Sequence, residues 1–551
     1  MRRSLLVLPV LAVAAVAVGG GLWLARPPTP PPNVLVILWD TTRADRLSLY
    51  GYPVPTTPRL EAFAKSATVY ERASAQGMWT VPTHTSMFTG LAESSHGARS
   101  DTLWLDNAET TLAESLGGAG YQTFAFSANL MVSPMTNLTQ GFQTVHTSFS
   151  RPDARRGRYT RAARRATVAK LLPEDRSTEI SPGFAGSKKE KWGKSVFKDA
   201  APVAHQALTE WLDERDGKGR PFFAYLNLME AHSPRVPSMA SRQRVSDQAT
   251  IDLGLRTDSS LMAANEHIVG KRTFTDAEKH AIAAIYDATL RDLDDATGDL
   301  LDDLAARGIL DDTVVVVTAD HGETLGEHGF YEHRWNVLEP LLHVPLVIRY
   351  PKRFTEGARV SERVTTADLY ATVLELAGLT PPGKAWSTSL VGRKVFDPFV
   401  FAQAVDPVSS QLLSIREAHP DVDVLPLARS WCVAYEDAWK LVWEAGGQGH
   451  ALYDLATDPG EDANRYATEP ERAAALAKAL HTFEAGLSPY DPAQRDAQDL
   501  ERVTREGPGG WLAGEDDDEA AALALLGYTA GEGVDVPKRT FCGPYGDAQQ
   551  N

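Results

Sequence analysis

Two short apolar runs, far apart in the chain, each stop at a metal-type ligand: Asn33 to Trp39 is followed by Asp40, and Thr313 to Thr318 by Ala319-Asp320-His321. Runs of this length, rich in Val and Ile and without alternation, read as strands buried on both faces, the habit of parallel sheets. Between them lie helical patterns, Thr110 to Gly118 and Asp276 to Arg307, the latter with Leu290, Leu293, Leu300, Leu301 and Leu304 at helical spacing. Strands alternating with helices predict an α/β fold, a doubly wound, mostly parallel sheet with helices on both faces. Such a sheet binds ligands beyond the carboxyl ends of its strands. Asp40 and Asp320-His321 fall there, so two strands deliver carboxylates and an imidazole to one edge.

Ahead of the first run, Arg2 and Arg3 precede an almost uninterrupted apolar stretch from Leu5 to Leu24, then Arg26 and Pro27 to Pro32. About 20 apolar residues suffice to cross a bilayer, while Gly19, Gly20, Gly21 and Ala25 suit a cleavage site. Residues 1–32 therefore read as a signal peptide or a single N-terminal membrane anchor with a Pro-rich linker, and both readings stay open. Either places the bulk of the chain outside the cytoplasm, periplasmic or extracellular, by the positive-inside bias of Arg2 and Arg3. The 551 residues hold two cysteines, Cys432 and Cys542, enough for one bridge but not for a disulfide scaffold or a Cys-rich metal site. Lys and Arg number 55 against 72 Asp and Glu, a formal charge of −17, which argues against nucleic acid as a partner.

Local composition shifts divide the chain further. Arg155, Arg156, Arg158, Arg161, Arg164, Arg165 and a Lys cluster from Lys188 to Lys198 make residues 151–200 basic within an acidic chain, which reads as a solvated insertion loop, with a substrate-facing or membrane-surface patch as the alternative. Val364 to Leu376 reads as one more helix, and Phe399 to Leu455 mixes short strands and turns. Beyond Pro489 the chain is acidic and Gly-rich, with one apolar helical piece at Ala520 to Tyr528.

Two segments carry chemistry. In Trp79-Thr80-Val81-Pro82-Thr83-His84, Pro82 is suited to begin a helix, which sets Thr80 at the helix mouth. Unpaired N–H groups and the helix dipole there stabilise negative charge and can face an anionic ester; a Thr can also serve there simply as an N-cap. The segment Asp320-His321-Gly322-Glu323 through Glu332-His333 is dense in metal ligands and phosphate-type donors.

Together these segments resemble the sulfatase branch of the alkaline phosphatase superfamily. The resemblance runs from about Asn33 to Asn464 and returns around Ala520 to Tyr528. It is carried by Asn33 to Asp45, Trp79 to Gly90, Gly120-Tyr121 with Asn129, Pro221-Phe222-Phe223 with His232-Ser233-Pro234, Val314 to His333, Val344-Pro345-Leu346, and Leu452-Tyr453-Asp454-Leu455 with Asp458-Pro459-Gly460-Glu461. It implies an alkaline phosphatase-like catalytic domain, placed at 33–380 with the basic insertion inside it. A smaller C-terminal α+β subdomain follows at 381–488 and a tail at 489–551.

The resemblance also implies roles. Asp40, Asp320 and His321 look like ligands of one divalent metal ion, with the Thr80 oxygen and a substrate oxygen completing the shell. His333 and His232 look like donors to the substrate anion or its leaving group, and Asn129 like a residue of the pocket wall. His84 stands where sulfatases carry an Arg beside the nucleophile. The family often has a second acidic ligand beside the first, whereas here Asp40 is followed by Thr41-Thr42. Such O and N donors suit Ca²⁺, Mn²⁺ or Zn²⁺ without choosing among them.

Thr80 is the main departure. Sulfatases carry Cys or Ser there, oxidised to formylglycine, whose hydrate expels sulfate through its second hydroxyl. Threonine cannot give that aldehyde, and a sulfo-threonine would be trapped unless water attacked sulfur. A phospho-threonine is released more readily, because phosphorus accepts in-line attack by water or an alcohol. The expected activity is therefore metal-dependent hydrolysis of a small-molecule, lipid or glycan ester, with phosphate diesters or phosphonate esters favoured over sulfate esters. Two alternatives stay open: an envelope phosphoethanolamine- or phosphoglycerol-type transferase, and a non-catalytic binding protein that keeps the fold and the metal.

Overall fold

The computed structural model describes residues 30–100, 102–148, 157–170, 200–383, 385–405, 409–447, 449–491 and 542. The run Leu5 to Leu24, most of the basic insertion and the piece Ala520 to Tyr528 lie outside them. Among the described residues no helix is long and apolar enough to cross a membrane.

Both apolar runs form strands with the bounds read from the sequence, β1 at Asn33–Trp39 and β6 at Thr313–Thr318. Between them come β2 (Thr68–Ser74), β3 (Gln122–Ser127), β4 (Thr144–Thr147) and β5 (Phe222–Leu228). The pair β7 (Thr324–Leu325) and β8 (Tyr331–Glu332) follows, then β9 (His343–Arg349) and β10 (Arg359–Thr365). The main sheet has eight strands in the order β10-β2-β9-β6-β1-β5-β3-β4. Only β9 runs antiparallel to its neighbours.

The helices that cover this sheet are α1 (Thr80–Thr89), α2 (Leu112–Gly118), α3 (Gly157–Lys170), α4 (Ala201–Glu214), α5 (Asp276–Ala306) and α6 (Asp368–Leu376). Side chains of a strand alternate between its faces, so β1 feeds two cores. Val34, Val36 and Leu38 pack with Phe88 of α1, Leu116 of α2 and Val373 of α6. Leu35, Ile37 and Trp39 pack with Leu208 of α4 and Leu290 and Leu293 of α5. Each such buried side chain contributes roughly 1.5–3 kcal/mol, which makes the centre of the sheet a rigid mount for what projects from its edge.

The structure departs from the sequence reading at several places, beyond a shift of one or two residues at the ends of α2 and α5. Helix α1 begins at Thr80, two residues before Pro82; Pro82 stays within the first turn, where its missing N–H costs nothing. Val364 and Thr365 belong to β10, and α6 begins only at Asp368, because pairing with Ala73 and Ser74 of β2 extends them. The basic insertion contains α3, where a solvated loop was expected. Tyr159 and Ala163 are buried in the core, the Tyr159 hydroxyl donates to Glu210 at 2.7 Å, and Lys170 meets Asp292 at 3.0 Å.

The C-terminal region forms a four-stranded antiparallel sheet of β11 (Phe399–Ala404), β12 (Trp431–Glu436), β13 (Trp439–Glu444) and β14 (Ala451–Asp454). Helix α7 (Pro470–Gly486) lays Leu476 and Leu480 on it. Cys432 on β12 is bridged to Cys542.

Candidate active site

The ends of four adjacent strands converge on one point. Asp40 follows β1 and continues its ladder, its N–H donating to the Leu228 carbonyl at 2.9 Å. Asp320 and His321 follow β6, Asn129 follows β3, Asn227 lies in β5, and His232 lies just beyond β5. The fifth contributor is the first residue of α1, Thr80, which is buried.

Asp40 Oδ2 accepts from Asn129 Nδ2 at 2.8 Å and from Asn227 Nδ2 at 3.1 Å. Asp320 Oδ1 accepts from the backbone N–H groups of Thr41 at 3.2 Å and His321 at 2.9 Å. Thr41 reaches this position at φ 58°, an uncommon conformation for a β-branched residue. The other oxygens, Asp40 Oδ1 and Asp320 Oδ2, are buried without a hydrogen-bond partner. Burial, and then the charge of Asp40, push the Asp320 carboxyl well above the usual carboxylate range.

The His321 Nδ1–H donates to the Gly322 carbonyl at 2.9 Å, which leaves the lone pair on Nε2, 3.3 Å from Asp320 Oδ2 and 3.5 Å from Thr80 Oγ1. Gly322 is required here, since a Cβ would meet the Pro340 carbonyl oxygen at 1.9 Å. One atom each of Asp40, Asp320 and His321 lies within 4.8 Å of the others. Two orphaned carboxylate oxygens and an imidazole lone pair converging in a buried pocket are the donors a divalent cation takes. Their mutual repulsion is what such a cation relieves.

Thr80 Oγ1 receives Asn129 Nδ2 at 3.4 Å. His84, one turn along α1, sits behind it. Its Nδ1–H donates to the Thr80 carbonyl at 2.9 Å and its Nε2 accepts from the Tyr225 hydroxyl at 2.6 Å. Burial holds the His84 pKa down to about 4, so the ring is neutral, and both of its nitrogens are occupied. Asn129 stands closer to the centre than a pocket wall, bridging Asp40 and Thr80.

His333 and His232 form the opposite side. Their rings are 4.9 Å apart, and His333 is 4.6 Å from His321. Burial pushes the His333 imidazole well below its usual range. His333 Nδ1 meets Glu323 Oε1 at 3.0 Å, and Arg235 Nη2 donates to Glu323 Oε2 at 2.7 Å. Arg43 ties the loop after β1 to this region, donating to the Glu323 carbonyl at 3.1 Å and to Glu327 at 2.7 Å. The structure thus gathers every site residue singled out from the sequence around one pocket. Sequence reasoning missed Asn227, Tyr225, Glu323, Arg235 and Arg43. Asn227 carried a usable signal, a lone amide inside the fully buried apolar strand Phe222–Leu228. Arg43 and Arg235 had none beyond proximity to Asp40 and His232.

A family profile described as Sulfatase matches residues 32–379 of the chain. A second, described as N-sulphoglucosamine sulphohydrolase, C-terminal, matches residues 326–484. Arylsulfatase K of Xenopus laevis is 32% identical over 217 residues, a stretch that spans 38% of this chain and 38% of that one. The multifunctional alkaline phosphatase superfamily protein PehA of Trinickia caryophylli is 25% identical over 492 residues, 78% of this chain and 90% of that one. The phosphonate monoester hydrolase of Agrobacterium radiobacter shares the fold, with a TM-score of 0.61 at 20% identity over 82% of this chain and 95% of that one.

Proposed function

The chain belongs to the sulfatase family and is a hydrolytic enzyme, and from that premise we propose that it hydrolyses phosphate diesters or phosphonate esters with Thr80 as the nucleophile. The observation that carries this reading is a threonine hydroxyl at the first turn of α1, 3.5 Å from His321 Nε2 and 3.4 Å from Asn129 Nδ2, where the family's sulfatases carry the precursor of formylglycine.

Asp40, Asp320 and His321 would hold one divalent cation, Ca²⁺, Mn²⁺ or Zn²⁺. Bound there, it supplies Lewis-acid polarisation of the ester and favours ionisation of a nearby hydroxyl. The chain's own residues do the rest. Asn129 orients the Thr80 oxygen, whose lone pair attacks phosphorus in line with the leaving oxygen. Unpaired N–H groups at the start of α1 add positive potential on the same side. His333, neutral and with its Nε2 lone pair free, takes the Thr80 proton as the oxygen–phosphorus bond forms and hands it to the leaving oxygen as that oxygen's bond to phosphorus breaks. His232 donates to the equatorial oxygens, where transition-state charge gathers. Water then attacks the phospho-threonine, losing a proton to His333, which returns it to the departing Thr80 oxygen and so restores the hydroxyl. His84 supports the Thr80 backbone from behind and does not touch substrate.

We place this machinery in a catalytic domain at 33–380, with 381–488 as a smaller subdomain. The Cys432–Cys542 bridge and the N-terminal apolar run support residence outside the cytoplasm, where disulfides persist, by a cleaved signal or one anchor. The substrate is a small-molecule, lipid or glycan ester.

The test is turnover by the full chain in mild detergent, using an aryl sulfate, an aryl phosphate diester and an aryl phosphonate, each with Ca²⁺, Mn²⁺ or Zn²⁺. Diester or phosphonate cleavage that disappears in Thr80→Ala is the expected result. Cleavage of the sulfate alone, or diester turnover that survives in Thr80→Ala, would overturn the proposal.

A further inference from the structure

Four histidines line the site, and they are backed differently. His84, His232 and His321 each set Nδ1 against a backbone carbonyl, of Thr80, Ser233 and Gly322. His333 differs in that its Nδ1 is hydrogen-bonded to a carboxylate, Glu323 Oε1 at 3.0 Å; His84 Nδ1 also lies 3.4 Å from Asp320 Oδ2, but its hydrogen bond goes to the Thr80 carbonyl. Glu323 is fully buried, and its second oxygen is taken by Arg235 Nη2 at 2.7 Å. Arg235 is held in turn, its Nε donating to the Ala231 carbonyl at 2.9 Å and its guanidinium lying 5.3 Å from the Tyr286 ring centroid.

We infer that Glu323 is the positioning residue of His333, and that Arg235 orients Glu323 for this task. The inference rests on the reading that His333 takes a proton at Nε2 and passes it to the leaving group. The Arg235 guanidinium is always charged and only donates, and its 2.7 Å ion pair favours the ionised Glu323, so both carboxylate oxygens accept and the hydrogen of the 3.0 Å contact belongs to His333 Nδ1. That assignment leaves Nε2 as the ring atom available to the reaction, and the buried carboxylate fixes the plane in which it points. Nothing else among the described contacts orients this ring through a hydrogen bond.

The substitution Glu323→Gln tests this without changing side-chain size. Arg235 would draw the amide oxygen, turning the amide NH₂ toward His333 Nδ1. That nitrogen would then have to accept, and the ring proton would move to Nε2. Ring-nitrogen spectra of the full chain labelled with ¹⁵N-histidine in Ca²⁺, with His333 assigned by its loss in His333→Ala, should show a protonated Nδ1 in the wild type and a protonated Nε2 in Glu323→Gln. In the same variant kcat on an aryl diester should fall by about 10²–10⁴, with KM changing far less. Added to His333→Ala, Glu323→Gln should cost less than about twofold, because it acts only through that ring.

An unprotonated Nδ1 in the wild type overturns the inference, as does an equal kcat loss in the His333→Ala background. The wild-type spectrum decides even if Glu323→Gln fails to fold. Absence of turnover in the wild type would remove the functional reading while leaving the ring-nitrogen result to decide the positioning.

Discussion

At Asp40 and Asp320 two buried carboxylates share a pocket, each with one oxygen that no protein group satisfies. Burial and the Asp40 charge favour the neutral form of Asp320, so two ionised carboxylates here would oppose folding and a cation would relieve them. Chelation should therefore lower the melting temperature, and adding back Ca²⁺, Mn²⁺ or Zn²⁺ should restore it, by about 2.7 kcal/mol at a hundredfold excess over Kd. Asp320→Asn should melt above the chelated wild type and show no rise with any of the three ions; scanning calorimetry with and without metal reads both. These two carboxylates were legible in the sequence because each terminates an apolar run. Glu323 was not, because its meaning lies in what it faces, and Asn227 showed only as a lone amide in an apolar run. Asn129 and His84 were visible as residues, but only the fold shows that one bridges Asp40 to Thr80 and the other stands behind it.

The same limit appears among the elements. The bounds of β1 and β6 follow from composition alone, and α5 carries its own start signal, a capping box in which Thr275 and Glu278 satisfy each other's backbone N–H. The short helix Pro58–Ala64 is different. Thr57 occupies its N-cap position but supplies no side-chain cap, its hydroxyl instead accepting from the Leu49 N–H at 3.2 Å. The cap comes from α5, where Asp294 accepts from the N–H groups of Arg59 at 2.9 Å and Leu60 at 2.8 Å. No local pattern could reveal that partner, which lies 235 residues away from Arg59 in the chain. Asp294→Ala should cost about 1–2 kcal/mol in urea unfolding. Burial raises the Asp294 carboxyl from 3.8 to about 6 despite those two bonds. The native state thus binds its proton more tightly than the unfolded chain, so this group's contribution is full below about pH 4 and is lost as pH rises through 6. Asp294→Asn should flatten that part of the wild-type stability profile; an unchanged slope between pH 4 and 6 would show that the carboxyl is not shifted.

Across the whole molecule, the C-terminal sheet meets the catalytic region at a buried charge. Lys440 on β13 is fully buried, 3.2 Å from Glu339 and 2.7 Å from Glu461, and donates to the Val337 carbonyl at 2.6 Å. Burial would raise Glu339, but Lys440 and Arg363 overcome it and bring its carboxyl to about 2. Lys440→Met strands two carboxylates together and should cost about 3–5 kcal/mol, part of which a second change, Glu461→Gln, should return. The bridge acts elsewhere. Cys542 is tied to β12 through Cys432 and to α7 through Glu484, which accepts the Cys542 N–H at 2.9 Å, closing a loop of 110 residues. Closing so long a loop removes unfolded-state entropy of about 4–5 kcal/mol. The site residues, by contrast, all lie on or beside the ends of the main sheet's strands, between Asp40 and His333 in the chain, and none touches this bridge. Reduction should therefore loosen the molecule from one end: hydrogen exchange should quicken in β12 and α7 while β1 and β6 keep their protection. Uniform acceleration in both sheets would mean instead that they unfold as one unit, and that Lys440 and its carboxylates couple them more strongly than the bridge does.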